Sequence, residues 1–186
     1  DLNLPGREAG KESIAIGIDW LASVLYRHVT VAPRKVLVLG GGNTAMDCCR
    51  TAKRLGGDDV KVLVRSPREE MKASPWEIED AEEEEIPILD NHSPVDFVVK
   101  AGKLVGMHFQ RVRAEYDTDG KRSLVPLDEP PVFFPCDLVL LAVGQLNAFP
   151  FIEEEVGLEM SESGLPVLDE VTHQSSIPHI FFGGDA

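Results

Sequence analysis

The 186 residues read as an α/β fold with a mainly parallel sheet, and three observations predict it. The run Lys35-Val-Leu-Val-Leu-Gly-Gly-Gly-Asn-Thr-Ala-Met-Asp47 joins an apolar strand, a glycine turn and a helix start without a spare residue. A second apolar strand, residues 60–64, follows that helix, completing a β-α-β unit. Far downstream, Asp137-Leu-Val-Leu-Leu-Ala-Val-Gly144 is apolar on both faces, the texture of a strand buried inside a parallel sheet. Together they predict a Rossmann-like dinucleotide-binding domain in which an antiparallel three-stranded meander replaces one crossover helix.

The elements follow in order. Ile14, Ile18, Leu21 and Leu25 recur at helical spacing, and Pro33 stops that helix before the first strand. Pro75 opens a later helix, in which seven of the nine residues from Glu77 to Glu85 are acidic. Acids are favourable near a helix N-terminus, so the expectation is a solvated outer face with Ile78 and Ala81 turned inward. Residues 86–89 read as the third parallel strand. From Val95 the texture becomes alternating, and residues 96–100, 104–116 and 122–127 form the meander, with turns at Gly102-Lys103 and Asp117-Thr-Asp-Gly120. The expected organisation is a connecting segment and helix over 1–34, a nucleotide-binding domain over 35–150 and a return segment over 151–186.

The glycine turn carries the candidate site. Read as Gly40-x-Gly42-x-x-Ala45, its first glycine permits a tight turn and its second lets backbone approach a pyrophosphate. Ala45 lets the helix sit close on the sheet. Gly41 completes the turn, and the N–H groups of Asn43, Thr44 and Ala45 are expected to face the phosphates from the helix N-terminus. NAD-binding domains usually place Asp or Glu on the ribose 2′-hydroxyl about twenty residues past the glycines. Here that position holds Arg65, followed by Ser66, Pro67 and Arg68, with Lys72 close behind. A guanidinium grips a phosphate through paired charge-assisted bonds and offers a bare hydroxyl little, so the reading is NADPH. Gly144 and Gln145 cap the returning strand at the sheet edge where ligands bind.

Other classes are disfavoured. A net charge of −14 leaves no basic face for nucleic acid. No apolar run reaches the roughly twenty residues of a membrane span, and no signal-peptide pattern opens the chain, so a cytoplasmic protein is expected. Cys48 and Cys49 are neighbours and Cys136 is remote, which gives neither a C-x-x-C nor a metal-ligand set. All three read as small buried hydrophobes. The five histidines show no ligand spacing, and no metal site is expected.

Leu4-Pro5-Gly6, Asp19-Trp20-Leu21, the fingerprint Gly-Gly-Gly-Asn-Thr-Ala-Met-Asp, the strand ending at Gln145 and the closing Phe181-Phe-Gly-Gly-Asp185-Ala186 together resemble the NADPH-binding domain of the glutamate synthase small (β) subunit. Related proteins are the NADPH domain of dihydropyrimidine dehydrogenase and the flavoprotein subunits of NADPH-ferredoxin oxidoreductases. In the glutamate synthase pattern two arginines often follow the second strand; here the second is Ser66, so part of the 2′-phosphate grip passes to Arg68 or Lys72. The resemblance implies a flavin-dependent oxidoreductase in which NADPH gives hydride to FAD and electrons continue through iron–sulfur clusters to a partner, the glutamate synthase large subunit or another acceptor. It implies that Gly184 and Asp185 contact FAD, that most of the FAD site belongs to another half of the protein, and that the fragment alone is inactive. Hydride transfer needs two rings brought together rather than a general acid or base, so no catalytic residue is named. The alternative is a free-standing, non-catalytic NADP(H)-binding or regulatory module. A thioredoxin-reductase-like enzyme would need a redox dithiol that these cysteines do not form.

Overall fold

The structure is a computed structural model and describes residues 2–116, 122–144, 156–162 and 164–183. Its two compact units are Asp1–Gly144 and Gln145–Ala186.

In the first unit five parallel strands form one sheet: β1 (Ile14–Ile16), β2 (Lys35–Leu39), β3 (Asp59–Leu63), β4 (Ile88–Leu89) and, after the antiparallel segment, β9 (Leu138–Leu141). Their order is β1-β9-β2-β3-β4. Three helices accompany them: α1 (Gly17–Leu25), α2 (Asn43–Arg54) and α3 (Pro75–Glu83). Between β4 and β9 lie β5 (His92–Lys100), β6 (Lys103–Tyr116), β7 (Arg122–Pro126) and β8 (Val132–Pro135).

Two departures from the sequence reading have simple causes. Ile14 belongs to a strand, not to the helix, because Ile14–Ile16 pairs in parallel with Val139–Leu141 and the helix starts only at Gly17. The meander gains a fourth strand. β6 is long enough for β5 and β8 to flank Gly106–Phe109 while β7 pairs further along, from Val112 to Tyr116. Pro130, Pro131 and Pro135 disguise β8 as a loop, and a sheet edge is where prolines are tolerated. The expected turn at residues 117–120 lies outside the described residues.

The strand alternation sorts the core into two layers. Val36 and Val38 of β2, with Val60, Val62, Leu138 and Leu140, face the helices and pack on Ala45, Met46, Cys48, Cys49 and Ala52 of α2. Leu37, Leu39, Leu63, Val139 and Leu141 point the other way, onto Phe97, Leu104, Met107 and Phe109 of the antiparallel sheet. The parallel sheet is thus buried on both faces, which explains its unbroken apolar strands. The Leu-Pro-Gly segment ties the chain start to β5. Phe97 N–H donates to Pro5 O at 2.9 Å, and Gly6 has φ +82°, with the Phe97 carbonyl oxygen only 2.0 Å from where a Cβ would stand.

The second unit is held by turns and isolated bridges among its described residues, including Leu168 with Ser175 and Gln174 with Phe181. Asp169 accepts from Val171 N–H, Thr172 N–H and the Thr172 hydroxyl. Hydrogen bonds from Thr172, backbone and side chain, with that of Val171, hold its carboxyl below the ordinary range.

Candidate functional site: the glycine turn and the loop after β3

The three glycines after β2 have three different jobs. Gly40 has φ +141°, and a Cβ there would lie 2.1 Å from the Ala142 carbonyl oxygen at the end of β9. At Gly41 a Cβ would press on the Val64 side chain at 2.8 Å. Gly42 caps α2 at φ −105° and ψ 176°, where any residue is accommodated, and a Cβ would meet no atom within 4 Å. The first two glycines therefore make the fold, and the third keeps open the space beside the helix N-terminus.

That open space faces unused donors. Among the described residues, the backbone N–H groups of Gly41, Gly42, Asn43 and Thr44 have no hydrogen-bond acceptor. Ala45 departs from expectation, because its N–H already donates to Gly42 O at 2.9 Å in a tightened first turn. Its contribution is the close packing read from sequence, and it is fully buried against the sheet. Unpaired N–H groups at the positive end of a helix are the kind of donors that an anion such as a pyrophosphate uses.

The loop after β3 is strapped across this turn. Lys72 N–H and Ala73 N–H both donate to Gly41 O at 2.9 Å, and Ser74 N–H donates to Asn43 Oδ1 at 2.8 Å. Sequence reasoning missed this use of Asn43, which joins residues 31 apart in the chain. The strap fastens the backbone of Lys72 to the glycine turn. Arg65 is exposed and makes no hydrogen bond or ion pair among the described residues, and Lys72 is likewise exposed without an ion pair. Arg68 differs: its guanidinium bonds Glu82 of α3 at 2.8 Å and its N–H donates to Asp90 Oδ2 at 3.2 Å. Ser66 offers its carbonyl to Asn91 N–H at 3.2 Å. Gly144, at φ +120°, follows Ala142 at the same sheet edge as Gly40. Gln145, Gly184 and Asp185 lie outside the described residues.

The acidic helix is not merely a solvated face. Arg50 of α2 pairs with Glu77 at 3.0 Å, Asp80 at 2.9 Å and Glu84 at 2.9 Å, and Arg54 also reaches Glu84. Periodicity cannot reveal such pairs, because their partners lie on another helix. Ile78 and Ala81 are buried as expected.

All three cysteines are buried, with Cys48 and Cys49 among the helix-side core and Cys136 in the core on the opposite face of the sheet. Burial pushes each thiol up to about 12, away from nucleophilic thiolate. Among the described residues no group of His, Cys, Asp and Glu could hold a metal ion, and no helix is long and apolar enough to cross a membrane.

The profile of one family, described as pyridine nucleotide-disulphide oxidoreductase, matches residues 1–186. The chain belongs to that family. Similar curated proteins include the NADP(+)-dependent formate dehydrogenase subunit beta of Moorella thermoacetica, 34% identical over 99% of this chain and 26% of that protein. The NADPH-Fe(3+) oxidoreductase subunit beta of Geobacter sulfurreducens is 32% identical over 87% of the chain and 24% of its own length. The glutamate synthase [NADPH] small chain of Halomonas elongata is 36% identical over 85% and 34%. The chain thus spans about a quarter to a third of these relatives, which include the kind of protein that its motifs resemble. Thioredoxin reductase of T. acidophilum shares the fold, with a TM-score of 0.69 and 17% identity over 100% of this chain and 53% of that one. Mycobacterium tuberculosis FprA, solved in complex with NADPH, has a TM-score of 0.65 at 13% identity over 94% and 52%. The family name includes a disulphide, but the three cysteines here stand on opposite faces of the sheet or adjacent on one helix.

Proposed function

We propose that this chain is the NADPH-binding domain of a flavin-dependent oxidoreductase, most like the glutamate synthase small subunit. One observation carries the reading: four unused backbone N–H groups face open space at Gly42, beside a loop that presents Arg65 free of any partner. The Gly41–Thr44 amides hold the pyrophosphate and Arg65 reads the 2′-phosphate, with Lys72 and Arg68 as further cations and Ser66 between them. Lys72 is available at once, whereas Arg68 must exchange Glu82 for the phosphate. Gly144 and Gln145 border the nicotinamide side, and Gly184 and Asp185 contact FAD.

Bound NADPH supplies hydride to a flavin ring. The residues here bind and orient, and none is assigned a catalytic role. FAD belongs mostly to the remainder of the protein, and iron–sulfur clusters and the glutamate synthase large subunit, or another electron acceptor, lie downstream. The names of the relatives, from formate dehydrogenase to NADPH-Fe(3+) oxidoreductase, support an NADPH entry domain serving varied acceptors. The protein works in the cytoplasm, bound to neither nucleic acid nor membrane.

Calorimetric titration of the chain with NADPH and NADH tests the reading. NADPH should bind more tightly, and Gly42→Val should weaken both cofactors while leaving the circular dichroism and melting temperature of the wild type, because that side chain enters open space. Trp76 gives a second readout, since it is 65% exposed two residues past Ser74, whereas Trp20 is 6% exposed. Undiminished binding by a folded Gly42→Val variant would remove the glycine turn as the site.

A further inference from the structure

The tip of the antiparallel sheet reaches the loop that carries the basic residues. Tyr116 and Arg122 stand directly opposite each other at the end of the β6–β7 pair. Both grip Glu70, the last residue of a short 3-10 turn over Arg68–Glu70. The Tyr116 hydroxyl donates to Glu70 Oε1, and the Arg122 guanidinium bonds Glu70 Oε2 at 3.0 Å. Glu70 lies two residues before Lys72, whose N–H is fastened to the glycine turn.

A carboxylate at this place matters for cofactor choice. Unrestrained, it would repel a 2′-phosphate, and as an acceptor of hydrogen bonds it suits the two free ribose hydroxyls of NAD(H). In the structure each oxygen already accepts one hydrogen bond, Oε1 from Tyr116 and Oε2 from Arg122, and the guanidinium offsets the charge. Arg122 moreover keeps Nε and one terminal nitrogen buried and without a hydrogen-bond partner among the described residues. Those buried donors are shielded from a solvent-side ligand, so Arg122 acts through Glu70 and does not itself take the phosphate.

We propose that Glu70, Tyr116 and Arg122 form a specificity clamp, in which the β6–β7 tip neutralises and holds Glu70 so that the loop accepts a 2′-phosphorylated nucleotide. The clamp rests on the NADP(H) reading of the same loop. Tyr116 and Arg122 are positioning residues, remote in sequence from the glycine fingerprint.

The test is calorimetric titration of the whole chain with NADPH and NADH. Arg122→Gln should lower the NADPH-to-NADH affinity ratio about tenfold or more by leaving Glu70 uncompensated beside the phosphate. Tyr116→Phe should lower it less, and Arg122→Lys, which keeps the charge, should retain most of it. The double variant Glu70→Gln/Arg122→Gln should restore the ratio, because the freed charge is gone; a merely structural role would weaken both cofactors alike and show no rescue. If Arg122→Gln is unstable, Tyr116→Phe decides by the same ratio. A wild-type ratio near one, or one insensitive to Arg65→Ala, overturns the NADP(H) reading and the clamp with it. A ratio that Arg65→Ala collapses and that Arg122→Gln and Tyr116→Phe leave alone overturns the clamp only.

Discussion

At the scale of single residues, Arg65 and the cysteines show how exposure and burial divide labour. A hydrogen bond to a charged group is worth enough that losing Arg65 to Ala should weaken NADPH roughly ten- to a hundred-fold, with NADH almost unaffected. Equal loss of both cofactors in titration would remove Arg65 from the 2′-phosphate. The cysteines make the opposite case. Their folded thiols are pushed up to about 12 from an ordinary 9.0, so the unfolded chain ionises first as pH rises. The stability they contribute is complete below about pH 9 and falls between there and about pH 12. Urea unfolding at rising pH should therefore show a falling midpoint above pH 9, shallower in Cys48→Ala. A midpoint that stays level through that window, or thiols that react quickly in the folded chain, would contradict the buried assignment.

At the scale of elements, α2 and α3 are fastened by charge as well as by apolar packing. Arg50, with its side chain 19% exposed, holds three carboxylates at once. Burial alone would raise the Glu84 carboxyl, but hydrogen bonds from Arg54 and Arg50 outweigh it and keep it below the ordinary 4.5. That contribution is present above pH 4.5 and is lost as pH falls. Arg50→Ala should cost about 1–3 kcal/mol at neutral pH and flatten the acid side of the stability profile. A neutral result in denaturant melts would show that the acids are solvated after all. The same helices mark the limit of what sequence conveys. The strands of the parallel sheet and the turn from Gly40 to Gly42 were legible because burial on both faces and glycine spacing are local properties. The pairing of Glu70 with Tyr116 spans 46 residues, and that of Arg50 with Glu84 spans 34, so no local pattern records them. Strand β1 is hidden because it is only three residues long, Ile14–Ile16, and Ile14 also continues the helical spacing of α1.

At the scale of the whole molecule, the first unit covers both faces of its parallel sheet with its own layers, three helices on one side and the antiparallel strands on the other. Its core does not depend on a cofactor to fill it, so the chain should fold and bind NADPH without flavin. The described residues contain one dinucleotide turn of the strand–glycine–helix kind, at Gly40, and that turn is assigned to NADPH. FAD needs a second pocket burying most of its surface, and the chain spans only 24% to 34% of the relatives compared above. The purified chain is therefore expected to be colourless and unable to reduce artificial acceptors with NADPH, while the full-length protein retains flavin and does both. Absorbance spectra of gel-filtered chain decide this: a flavin band co-eluting with the 186 residues would mean that the cofactor site is complete within them, and the division of labour between an NADPH domain and a separate FAD half would fall.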